Sequence, residues 1–165
     1  MPERPSVLWK RMSPATRLEA AEAFWRDEES PEIAAQHAEA MVALASRLKF
    51  RPKSLRTLPV DRLARHLAQM PDVSDAVATR ALIALHFSGR RPLMAAFLDT
   101  LGIGHDNGLI TAENVETPPV ATLSAAAESL RQTFGRDEVD LYLRTLAALD
   151  GETWGNLDAV VGPPH

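Results

Sequence analysis

The chain contains no cysteine, which excludes disulfides, thiolate metal sites and cysteine nucleophiles together. This absence also fits a reducing compartment. Long apolar runs are missing too: uncharged stretches such as 117–127 fall short of the ~18 residues that a spanning helix needs. The opening residues, MPERPSVLWKR, hold no apolar run followed by small residues, so no signal peptide is expected. No stretch alternates apolar and polar residues, so no strand is expected. GxSxG, the P-loop, the dinucleotide glycine pattern and HExxH are all absent. A cytoplasmic protein without membrane contact, metal or cofactor is the resulting expectation.

What is present is helical. Alanine and leucine dominate the 165 residues, and apolar positions recur at helical spacing. A chain of this size buries roughly 70% of its unfolded surface and needs no staple. The spacing predicts an all-α protein: a compact bundle of seven to eight amphipathic helices around a central buried helix at about 73–88. Residues 1–12 read as an N-terminal arm, 13–161 as a single helical domain and 162–165 as a C-terminal tail.

Local signals place the helices. Ser13-Pro14 and Ser30-Pro31 each join a capping hydroxyl to a first-turn proline. The second of these helices should reach about Lys49, with His37 on its apolar side. Pro52 forces the chain out of helix, leaving 51–58 as a basic connector. Pro59 opens the next helix. The central one follows, apolar around most of its circumference, with Arg80 apart from a narrow stripe of Asp75, Thr79 and His86. Gly89 reads as its left-handed cap. Helices starting near Pro92, Pro118 and Asp137 come next, then a short turn holding Trp154 and Leu157. The segment 102–118 is the longest irregular one, with a turn at Asp106-Asn107-Gly108.

Two places carry unusual charge. With Pro92 at the first helical position, Arg91 falls at the N-cap, where it cannot accept a bond from the exposed amides. Arg90 and Arg91 also put positive charge at the positive end of the helix dipole. Something acidic must compensate. One account is an anion held by Ser88, Arg90, Arg91 and His86. The preferred account is solvent, or a carboxylate from the acidic C-terminal part, where eleven acids face three basic residues from Asp99 onward. The second place is the basic stretch Arg47, Lys49, Arg51, Lys53, Arg56, Arg62 and Arg65, with Asp61 as its single acid. Such a surface could hold phosphates. However, its connector is too long and proline-rich for a helix-turn-helix, and Phe50 is the one nearby aromatic. The net charge of −4 also makes nucleic acid an unfavoured partner. A solvated or internally paired face is preferred.

Histidines suggest little catalysis. His37, His66, His86, His105 and His165 lack the Glu-x-x-His spacing of di-iron bundles. His105-Asp106 resembles the adjacent pair of the all-helical HD-type metal phosphohydrolases, over those two residues alone. In that family the pair is expected on a helix, whereas here it lies between Gly-Ile-Gly and Asn-Gly and reads as loop. A calcium loop centred on Gly108 fails at its ligand positions, with Ile103 first and Asn114 last. Paired carboxylates at Glu28/Glu29 and Asp137/Glu138 read as helix-end charges. The expected function is therefore a non-catalytic module for protein–protein association, including self-association. Nucleic-acid binding through 47–65 and an anion or enzymatic site at 88–92 are the alternatives.

Overall fold

Eleven helices and one minimal hairpin form the regular structure of the described residues, 2–28 and 30–162 (without the Pro52 side chain), of a computed structural model. The chain is all-α, as the spacing requires, with more and shorter helices than expected. It divides into two compact units: Pro5–Ser88, and Gly89–His165 together with Met1–Arg4. Glu29, His165 and the expected tail beyond Gly162 lie outside the described residues.

In the N-terminal unit the expected arm is a helix, α1 (Pro5–Arg11). Trp9 is 0% exposed there. Its indole Nε1 donates to the Met70 carbonyl at 2.8 Å, and the Ser6 amide donates to Asp75 at 3.0 Å. Seven residues make too few turns to display a period, and so short a helix is held by tertiary contact. The serine signals behave as read. Ser13 Oγ accepts from the Thr16 amide to start α2 (Pro14–Arg26), and Ser30 Oγ accepts from the Ile33 amide to start α3 (Pro31–Leu48). The basic connector contains a further turn of helix, α4 (Pro52–Leu55), anchored by fully buried Leu55. Next comes α5 (Val60–Ala68), with Leu63, Ala64 and Leu67 buried.

The central helix of the sequence reading is α6 (Asp75–Gly89), started by Ser74, whose Oγ accepts from the Val77 amide at 3.2 Å. It buries Val77, Ala78, Ala81, Leu82, Ala84, Leu85 and His86. Arg80 leaves this apolar surface towards α3, donating to Gln36 at 2.8 Å and pairing with Glu32 at 3.4 Å. Gly89 is not left-handed. It completes the helix, and Arg90 bends the chain at φ −127°, ψ 15°. The left-handed cap in this unit is instead Lys49, at φ 58°, after α3. A Cβ in that region costs about 1 kcal/mol. Lys49→Gly is therefore expected to raise stability by about 0.5–1 kcal/mol in urea denaturation. A loss of stability would show that the lysine side chain contributes more than its backbone strain removes.

The C-terminal unit runs through α7 (Arg91–Leu101), a hairpin of β1 (His105–Asp106) and β2 (Leu109–Ile110), α8 (Val120–Phe134), α9 (Arg136–Leu149), α10 (Gly151–Trp154) and α11 (Leu157–Val161). No strand was expected, because two residues cannot display an alternation. The Asn107-Gly108 turn sits at φ 48° and 92°, the positive pair that a two-residue hairpin demands. Gly108 is required twice over, since a Cβ there would lie 2.8 Å from the Met94 Cβ. Glu3 joins this unit through an ion pair with Arg144 at 3.2 Å.

Phe97 centres the core of this unit, edge-on to Tyr142 at 5.6 Å and 5.8 Å from Trp154. Burial pushes the Tyr142 hydroxyl well above the usual tyrosine value. The unfolded chain would ionise it near pH ~10, while the folded unit keeps the proton. Its contribution to stability is complete below that pH and is lost as pH rises towards the folded value. Tyr142 is the only tyrosine, so phenolate absorbance reads it directly. We expect no phenolate before alkaline unfolding; ionisation near pH ~10 with the helices intact would contradict the burial.

Candidate functional site

At the turn after α6, the unresolved charge finds its partner inside the chain. The N-cap of α7 is Arg90 rather than Arg91, and Pro92 takes the second helical position. Arg90 donates from Nε to Glu138 Oε2 and from Nη2 to Glu138 Oε1, the latter at 3.3 Å. Gly135 is the N-cap of α9, so Glu138 occupies the third helical position, where the dipole favours a carboxylate. One carboxylate thus serves two helix starts: it sits well on α9 and offsets the misplaced charge on α7. The pair is partly withdrawn from water, with 16% of the Arg90 side chain and 38% of the Glu138 side chain exposed.

The remaining residues of the proposed anion site are occupied locally. Arg91 Nη1 donates to the Asn107 carbonyl at 2.9 Å. Ser88 Oγ donates to the Leu85 carbonyl at 3.3 Å, and His86 Nδ1 lies 2.8 Å from the Leu82 carbonyl. Beside the ion pair opens a cleft of about 390 Å³, lined by Gly89, Arg90, Pro92, Leu93, Phe134 and Glu138. An anion entering there would meet Glu138 before it met a bare guanidinium. The sequence pointed to solvent or a carboxylate of the acidic C-terminal part at this turn, but nothing local marked Glu138, 48 residues away, as the partner.

Elsewhere, three more half-buried arginines are matched by carboxylates, while the buried Nε of Arg17 has no hydrogen-bond partner among the described residues. Arg80 has Glu32, Arg131 has Asp140 at 2.7 Å, and Arg144 has Glu3. The basic stretch differs. Arg47, Lys49, Arg51, Lys53, Arg56, Arg62 and Arg65 are all exposed on the end of α3, on α4 and on α5. Arg65 pairs with Asp61 at 3.5 Å. The other six have no carboxylate within ion-pair distance among the described residues. Phe50 is 54% exposed in their midst, and Val42, 62% exposed, lies two turns earlier on α3. The seven cations thus lie exposed along consecutive elements of one unit, with Val42 and Phe50 exposed on the same stretch of chain.

Histidine geometry is structural. His37 Nε2 lies 2.6 Å from the Phe24 carbonyl, with its ring against Phe24 and Trp25. His105 Nδ1 accepts from the Gly108 amide at 3.0 Å, so Nε2 carries the hydrogen and donates to Asp99 at 2.7 Å. The His105-Asp106 pair lies in the hairpin, not on a helix. Among the described residues no three His, Asp or Glu side chains gather to hold a metal ion. Nor is any described helix long and apolar enough to cross a membrane. No known family model, curated protein or solved structure matches the chain.

Proposed function

We propose that this chain is a non-catalytic association module that works in the cytoplasm and presents the basic surface of α3–α5 to an acidic protein partner. One observation carries the reading. Arg80, Arg90, Arg131 and Arg144 are drawn into the fold and each has a carboxylate, whereas six exposed cations between Arg47 and Arg62 have none among the described residues. Phe50 and Val42 add apolar area that becomes useful when water is excluded at a contact. The charges would steer encounter and orient the partner, and the apolar groups would hold it.

Affinity capture from cell extract tests this reading, using the intact chain beside an Arg51→Glu/Lys53→Glu/Arg56→Glu variant. A protein retained by the first, eluted by salt and lost with the second is the expected result. Identical retention by both would remove the reading. The same cations could hold phosphates, and Phe50 could stack on one base. Nuclease-sensitive retention, with a gel shift that weakens steeply as salt rises, would favour that second reading.

A further inference from the structure

We propose that the acidic partner is a second copy of this chain, contributing its segment 111–119, TAENVETPP. This rests on the association reading above. Several features make the segment complementary. Glu113 and Glu116 are exposed and enter no ion pair among the described residues. Both ends are tied down. The Thr111 amide donates to the Gly104 carbonyl at 3.1 Å. Thr117 Oγ1 donates to the Thr153 carbonyl at 3.0 Å, and Asn156 Nδ2 donates to the Pro118 carbonyl at 3.1 Å. A segment already held loses less freedom on docking. Two exposed apolar residues bracket it, Leu109 at 52% and Val120 at 44%. The basic surface carries Val42 and Phe50 in the same way, so each face offers charge of one sign beside apolar area.

The balance of charge supports the same pairing. Pro5–Ser88 holds 12 basic and 10 acidic residues, while the other unit holds 6 and 12, giving +2 against −6. Basic surface on acidic segment is a head-to-tail contact. Each copy therefore keeps one free face of each kind, and assembly continues until a ring closes.

Sedimentation of the full chain tests this at about 20 mM and about 500 mM salt, where the screening length falls from ~20 Å to ~4 Å. We expect the average mass at low salt to rise with concentration towards ~100 µM, and to return to monomer at high salt. Lys53→Glu/Arg56→Glu and Glu113→Lys/Glu116→Lys should each be monomeric. Mixing these two variants restores one contact with its signs reversed and leaves the other as in the natural chain, and should restore the mass increase. All four positions are exposed, so circular dichroism should find both variants folded. A wild-type chain that stays monomeric throughout would overturn the proposal. So would assembly that survives high salt, assembly by either variant alone, or a mixture that stays monomeric. Failure here with salt-sensitive capture of a different protein would leave the association reading standing. Capture unaffected by the charge reversal would remove that reading as well.

Discussion

Trp9→Ala is expected to destabilise the N-terminal unit by about 4 kcal/mol, enough to remove most of the stability of a marginal domain. Trp9 is fully buried although it lies in a seven-residue helix next to the chain start. Truncation removes the largest apolar side chain of α1 and leaves a cavity that a short helix can close only by detaching. It also strips the Met70 carbonyl of its indole donor at 2.8 Å. Trp9→Phe separates the two effects. It keeps much of the ring and loses the donor, at an expected cost of about 1–2 kcal/mol. Urea denaturation followed by far-ultraviolet circular dichroism measures both. If alanine costs no more than phenylalanine, packing does not hold α1 in place.

Glu138→Ala is expected to cost about 2 kcal/mol and to create an anion dependence that the natural chain lacks. Without the carboxylate, Arg90 would remain largely shielded at the N-cap of α7 with its bidentate partner gone. Sulfate or phosphate could then enter the space beside Pro92 and Phe134. Saturation to about ten times the dissociation constant would restore about 1.4 kcal/mol, visible as a rise in Tm. Arg90→Ala should show no such response. A wild-type chain stabilised as strongly as the variant would mean that the turn takes an anion alongside Glu138. The ligand account of Ser88–Arg91 would then replace the ion-pair account.

Which parts of this fold were legible depended on how local their causes are. Ser13-Pro14 and Ser30-Pro31 start helices through bonds reaching three residues ahead, so both were readable. The apolar circumference of α6 was readable because fifteen residues display their period repeatedly. By contrast, α4 has four residues and buries Leu55, and no pattern distinguishes that from a connector. The hairpin at 105–110 has two residues per strand, so only its Asn-Gly turn left a trace. Gly89 looked like a cap because glycine so often is one, yet Arg90 supplies the bend.

Charge shows the same division. From residue types and spacing alone, the sequence established that Arg90 and Arg91 oppose a helix dipole, and that the basic residues cluster in 47–65 while acids dominate after Asp99. Tertiary structure alone decided which of these charges remain available. Arg90 and Arg51 look equally solvent-facing in sequence. Packing brings Glu138 to the first across 48 residues, and brings no carboxylate to the second among the described residues. A charge is fixed by its residue type, whereas its screening and pairing depend on distances that only the folded chain sets.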